Sequence, residues 1–81
     1  MRPIHELLND ITWNKKHDPA NVEIGYEDRK EQRLIFMPYT RIKRIEQEFM
    51  VLDNEEGLEV NIPLHRIREV REKGATLWKR G

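Results

Sequence analysis

The hydrophobic pattern of this chain changes its period once, at Val22, and that change limits the possible folds more than any other feature. Before it, Ile4, Leu7, Leu8 and Ile11 follow the spacing i, i+3, i+4, i+7, which predicts an amphipathic helix over residues 1–13. After it, apolar and polar residues alternate, which predicts short strands with one buried face. We therefore expect a short N-terminal helix followed by a β-rich body over residues 22–79.

The ends of the predicted helix carry two further expectations. Pro3 suits the first helical turn, where its missing N–H is not needed. Trp13 is expected to extend the apolar face. The residues from Asn14 to Asn21 are polar, contain Pro19 and read as a connector.

The strands are expected to be antiparallel, because the connections between them are too short for crossovers. The clearest turn is Asp53–Gly57, and Lys73-Gly74 indicates a hairpin. Strand patterns cover 22–26, 33–37, 45–52, 58–64, a segment from 68, and 75–79, with 33–37 expected to be buried on both faces and 39–44 ambiguous between a strand and one helical turn. We find no internal repeat.

These patterns predict a single α+β domain over residues 1–81. The short N-terminal helix would pack on a strongly bent, mainly antiparallel sheet of five or six strands, or on a small open barrel.

Composition excludes several classes of function. The chain has no cysteine and no serine, so it has no disulfide, no thiolate metal site and no serine or cysteine nucleophile. Its glycines are isolated, so it has no phosphate-binding glycine loop. No apolar run approaches the roughly 20 residues of a membrane span, and no signal-peptide pattern is present. The sequence predicts a cytoplasmic protein without a cofactor and without a membrane association.

The three histidines, His5, His17 and His65, do not have the spacing of metal ligands, so we expect no metal site. His5 and His65 could meet as a catalytic pair of the two-histidine phosphodiesterase type. Such enzymes carry a hydroxyl residue two positions after each histidine, and here those positions hold Leu7 and Ile67. We therefore predict that the chain is not an enzyme.

The formal net charge of zero hides two opposed segments. Residues 46–59 carry six acidic side chains and no basic one, whereas residues 62–81 carry six basic side chains and two acidic ones. Strand alternation would place Arg66 and Arg68 on one face, near His65 and Trp78. Because arginine binds phosphate through two hydrogen bonds and aromatic rings stack on bases, this segment could hold an RNA end. The competing interpretation is a solvated strand face with cross-strand ion pairs, and Trp13 and Trp78 could equally be core residues.

The chain resembles a small archaeal family, the RNA cyclic group end recognition domain, over almost its whole length. The most specific matching segments are Gly25-Tyr26-Glu27-Asp28-Arg29 and Ile62-Pro63-Leu64-His65-Arg66-Ile67-Arg68; the others are Arg2–Asn9, Ile11–Trp13 and Trp78. The resemblance implies a module that recognises RNA termini bearing a 2′,3′-cyclic phosphate or a related processed end.

Carried over to this sequence, the resemblance implies an RNA-binding site at the matching positions. Arg66 and Arg68 would contact the terminal phosphate, and His65 would hydrogen-bond a phosphate or ribose oxygen. Tyr26 or Trp13 would stack on the last base, and Arg29 belongs to the same site. Asp28 and Arg29 also have a structural alternative, because an aspartate at a turn commonly caps backbone N–H groups and pairs with a nearby arginine.

Two other functions remain open at this point. The acidic 46–59 segment or a strand edge could bind a protein partner, which would make the chain a scaffolding module of an RNA-processing assembly. The chain could also be an unrecognised phosphodiesterase or a ligase accessory that acts on the same RNA ends.

Overall fold

The N-terminal apolar stripe forms helix α1, Ile4–Trp13, in a computed structural model that describes residues 3–80. Leu7, Leu8 and Ile11 are buried, as the spacing predicts. Pro3 is the N-cap in extended conformation and does not enter the first turn. Met1 and Arg2, which fall within the predicted helix, lie outside the described residues. So does Gly81, the last residue of the basic segment.

Trp13 does not extend the apolar face of α1, because its side chain is 82% exposed. It follows Ile11 by two residues, which is about 200° around a helix of 3.6 residues per turn. That rotation turns the indole away from the buried stripe.

Seven antiparallel strands follow within the described residues 3–80. Their bounds are β1 Val22–Asp28, β2 Arg33–Pro38, β3 Ile42–Ile45, β4 Phe49–Asp53, β5 Glu59–Pro63, β6 Ile67–Glu72 and β7 Ala75–Lys79. Three 3₁₀ turns lie between them or before them, at Pro19–Asn21, Tyr39–Arg41 and Leu64–Arg66.

The strands divide into two sheets, β2-β1-β6-β7 and β3-β4-β5. The α+β class and the antiparallel pairing are confirmed, while the strands number seven and the two sheets do not close into a barrel. The 45–52 stretch is interrupted after β3, where the Glu46 N–H donates to the Phe49 carbonyl. The 33–37 stretch is not buried on both faces, because β2 is an edge strand and Leu34 is 41% exposed.

The chain crosses between the sheets at two matching turns. Tyr39–Arg41 joins β2 to β3, and Leu64–Arg66 joins β5 to β6. Each turn follows a proline and precedes an isoleucine, so the two crossings share the pattern Pro-apolar-x-Arg-Ile. A proline cannot donate to a strand ladder, which favours the end of each strand at this point.

These crossings belong to an internal repeat with an offset of 25 residues, which the alternation patterns had not revealed. The first half comprises β1, β2 and β3, and the second half comprises β4, β5 and β6. Gln32 and Gly57, also 25 residues apart, both have positive φ in the hairpin turns before the second strand of each half. The pairing repeats as well: β1 pairs with β2 and β6, and β4 pairs with β5 and β3. Each half thus donates its third strand to the sheet of the other half.

The core lies between α1 and the two sheets. It contains buried side chains from each of these layers, including Leu8, Ile24, Met50, Ile67 and Trp78. The Tyr39 hydroxyl donates to the Leu8 carbonyl at 3.1 Å and also hydrogen-bonds the Thr12 hydroxyl, so the first crossing turn is fastened to α1. Trp78 belongs to this core, which confirms the interpretation of Trp78 as a core residue and not as a stacking surface.

Gly25 tests the packing between β1 and β2. It faces Phe36 in the strand register, and a Cβ at Gly25 would lie 2.5 Å from the nearest ring carbon. We expect Gly25→Ala to lower the free energy of unfolding by about 1–3 kcal/mol, because the ring must move. Urea unfolding measures the change.

The matched comparison is a double-mutant cycle with Phe36→Ala. Without the ring, Gly25→Ala has nothing to displace, and most of its cost should disappear. If Gly25→Ala costs the same free energy of unfolding with and without the Phe36 ring, the contact with Phe36 is not the cause of that cost.

Candidate functional site

The two halves of the repeat enclose a concave pocket of about 400 Å³ at one end of the domain. The first half contributes its hairpin turn and first crossing turn through Tyr26, Asp28, Arg29, Lys30 and Arg41; the second half contributes Leu52, Asn54, Glu55, Val60, Asn61, Ile62 and Arg66. We call this the basic pocket, because four cationic side chains and two carboxylates line it.

Arg41 and Arg66 occupy equivalent positions in the two crossing turns, and both line the basic pocket. The repeat thus brings two guanidinium groups to one pocket from opposite halves of the chain. Sequence reasoning counted Arg41 as a nearby charge and missed its place in the site. The signal that could have found it is the shared Pro-apolar-x-Arg-Ile pattern.

Several cations of the basic pocket are free to bind a ligand. Within residues 3–80, the side chains of Arg29, Lys30 and Arg66 make no hydrogen bond and no ion pair. Arg41 donates one hydrogen bond, from Nη2 to the Asp53 carbonyl at 3.3 Å. A pocket of unpaired guanidinium groups has the donor geometry that binds phosphate.

Tyr26 supplies the aromatic side of the pocket. Burial raises the pKa of its phenol, the Asp28 carboxylate raises it further, and the Arg41 guanidinium opposes both. The phenol is therefore protonated at neutral pH and can donate a hydrogen bond, while the ring offers a face to a base.

Asp28 has a structural role in this arrangement. Its Oδ1 accepts hydrogen bonds from the backbone N–H groups of Lys30, at 2.8 Å, and Glu31, at 3.0 Å. Asp28 therefore caps backbone N–H groups of its turn, as the sequence analysis allowed. Within the described part of the chain no ion pair joins Asp28 to Arg29, so the Arg29 guanidinium is left for the pocket.

The other predicted site residues lie outside the basic pocket. His65 precedes Arg66 in the same turn but lines a neighbouring pocket together with His5. Arg68 is held by Glu27, with 3.2 Å between Nη2 and Oε2. Trp13 lines a separate groove beside Lys43 and Arg44. Strand alternation misplaced Arg66 because it lies in a 3₁₀ turn, where successive side chains do not alternate between two faces.

Three of the four arginines of the basic C-terminal segment are engaged by other groups of the fold. Arg71 pairs with the buried Glu69 at 2.8 Å. Arg80 donates through Nη2 to the carbonyls of Leu64, His65 and Ile67 at 3.3, 3.0 and 2.9 Å. These contacts leave Arg66 as the arginine of this segment that faces the pocket, and Arg80 ties down the turn that carries it.

Half of the acidic side chains of the 46–59 segment, Glu46, Asp53 and Glu59, are paired with cations of the three-stranded sheet. Glu59 binds Lys43 and Arg44, each at 3.1 Å, and Lys43 also reaches Asp53 at 3.4 Å. Arg44 binds Glu46 as well, at 3.1 Å. A partner for this face would meet a ladder of ion pairs and not an unbroken acidic patch.

Residues 3–80 contain neither a cluster of metal ligands nor a helix that could span a membrane. No three His, Asp or Glu side chains cluster there in a way that could hold a metal ion. No helix in this range is long and apolar enough to cross a membrane.

The sequence is similar to known proteins over nearly its whole length. The family model described as "MJ1316 RNA cyclic group end recognition domain" matches residues 1–80. A UPF0248 protein of Metallosphaera sedula is 34% identical over 77 residues, which cover 95% of this chain and 91% of that relative. No solved structure matches.

The ion pairs of Glu59 generate a pH prediction. Hydrogen bonds from Arg44 and then Lys43 lower the pKa of Glu59 from 4.5 to about 2. Because the folded-state pKa lies below the ordinary value, this pairing stabilises the fold above about pH 4.5 and is lost as the pH falls through about 2. Urea unfolding between pH 6 and about 2 should show a steeper loss of stability than in Glu59→Gln. Equal pH dependence in the two proteins would contradict this assignment.

The contacts of Arg80 generate a second prediction. A lysine keeps the charge but lacks the planar fork, so we expect Arg80→Lys to cost about 1–2 kcal/mol of stability. Amide hydrogen exchange should accelerate at residues 64–67. Arg33, whose side chain is 70% exposed, gives the control: Arg33→Lys should change stability by less than about 0.5 kcal/mol. Unchanged exchange at 64–67 would show that Arg80 does not hold the turn.

Proposed function

This chain belongs to the MJ1316 RNA cyclic group end recognition domain family, and from that membership we propose that it is a non-catalytic RNA-binding module that recognises processed 3′ ends at the basic pocket. A 2′,3′-cyclic phosphate is the representative ligand. The observation that carries the proposal is the convergence of Arg29, Arg41 and Arg66 with Tyr26 on one pocket.

The chemistry of a cyclic phosphate suits the paired crossing turns. Its phosphorus bears two non-bridging oxygens, and Arg41 and Arg66 approach from the two halves of the repeat. Each guanidinium would hold one of these oxygens. Arg29 and Lys30 would add charge at the mouth, and Tyr26 would stack on the terminal base or donate to the ribose.

The remaining predicted residues take a secondary place in this proposal. Arg68 is engaged by Glu27 and contributes to the local positive field. Trp13, being exposed beside Lys43 and Arg44, would contact RNA outside the terminal nucleotide. His65 would contact the nucleotide next to the end. A cytoplasmic location and a protein partner from an RNA-processing assembly stay predictions.

The decisive measurement compares one fluorescent oligonucleotide with three 3′ ends: cyclic phosphate, 3′-phosphate and hydroxyl. We expect the cyclic-phosphate form to bind most tightly, and Arg66→Gln or Arg41→Gln to weaken it about tenfold, the loss of one charged hydrogen bond. The slope of log affinity against log salt should fall by about 0.7 in each variant, because one phosphate contact is lost. The RNA end should be recovered unchanged.

The control variant is Lys73→Gln. Strand register pairs Val22 with Glu72, so Lys73 lies at the end of the sheet opposite Tyr26 and Asp28. Removing this charge should leave the preference for the cyclic end intact. Equal affinity for the three ends would overturn end recognition, and a processed RNA end would overturn the non-catalytic assignment.

A further inference from the structure

A second pocket, of about 440 Å³, lies across the Ile62–Arg66 segment from the basic pocket. Ile62 and Arg66 line the basic pocket, whereas Pro63, Leu64 and His65 line the second one. One strand end and its short turn therefore lie between the two pockets, with Arg66 facing one and His65 facing the other.

The lining of this pocket differs from that of the basic pocket. Apolar surface comes from the start of α1, from β4, and from the end of β5 with the turn that follows it, through Ile4, Phe49, Pro63 and Leu64. No lysine or arginine is among its lining residues within 3–80, and Glu48 places a carboxylate at its edge. The pocket therefore suits an uncharged, flat, apolar group and disfavours a phosphate.

Polar groups at the rim are available for a ligand. No side-chain hydrogen bond or ion pair engages His65, Gln47 or Glu48 within the described residues. His5 is joined only to Asn9, at 3.3 Å. Two imidazole rings, an amide and a carboxylate around an apolar floor are the elements that proteins use to stack on an unpaired base and to read its edge.

We propose that this pocket binds the base of the penultimate nucleotide, an inference that rests on the proposed function of the basic pocket. With the terminal phosphate between Arg41 and Arg66, the chain leaves past the Leu64–Arg66 turn and its next base enters beside His65. The Glu48 carboxylate accepts hydrogen bonds but cannot donate them, so it favours guanine, whose Watson–Crick edge offers two adjacent N–H donors, over uracil, which offers one.

The test uses cyclic-phosphate oligonucleotides that lack one base at a time. We expect removal of the penultimate base to weaken binding about tenfold, and removal of the third base from the end to have little effect. Uracil at the penultimate position should bind more weakly than guanine, and Glu48→Gln should reduce that difference. Fluorescence anisotropy measures each affinity.

A coupling experiment assigns the effect to this pocket. His65→Ala should weaken the intact RNA but not the RNA without its penultimate base, because the two changes remove the same contact. Lys73→Gln should weaken neither. If His65→Ala and removal of the penultimate base weaken binding independently, so that their factors multiply, His65 does not contact that base and the assignment to this pocket is wrong.

The outcomes separate this inference from the proposed function. If the cyclic end is preferred but the penultimate base has no effect, the second subsite is wrong and the basic pocket stands. If the three 3′ ends bind equally, both proposals fail together.

Discussion

Two three-residue turns, each preceded by a proline, carry the chain between its two sheets, and the arrangement of the rest of the molecule depends on them. The apolar residues of these turns, Tyr39 and Leu64, are buried in the common core, and Tyr39 is also hydrogen-bonded to α1. The arginine two residues later in each turn is left at the surface between the halves. Anchoring and ligand presentation are thus carried out by neighbouring residues of the same turn.

The internal pairing of charges explains how a chain with zero net charge acquires a local cationic site. Three of the four arginines of the C-terminal segment are engaged by carboxylates or carbonyl groups, and half of the acidic side chains of the 46–59 segment are paired with Lys43 or Arg44. What remains unpaired around the basic pocket is a small excess of positive charge. Such a site suits one phosphorylated group and gives little general attraction to long RNA.

The sequence predicted the parts of the fold that depend on local pattern. The helix stripe, the hairpin turns at Gly57 and Gly74 and the limits of the last strand follow from periodicity and turn chemistry. The division into two sheets could not be read this way, because alternation tells which face of a strand is buried but not which strand it pairs with. Trp13 was misjudged for a simpler reason, since its position falls off the helical stripe.

The site shows the same limit. Tyr26, Arg29 and Arg66 were named from the family resemblance, and they meet in one pocket. His65 and Arg68 lie one and two residues from Arg66 along the chain and yet face other partners. His65 shares a 3₁₀ turn with Arg66, in which each side chain is rotated by about a third of a turn from the last, whereas Arg68 lies in β6. Whether a cation is free or already paired depends on long-range contacts such as Arg68 with Glu27, which sequence spacing does not reveal.

The exchange of third strands between the halves links the binding site to the whole domain. β3 completes the sheet of the second half and β6 that of the first, so neither half retains its ladder when the other unfolds. A ligand bound between Arg41 and Arg66, as proposed, would span the same division. Its occupancy would therefore be coupled by mass action to global unfolding and not to a local opening.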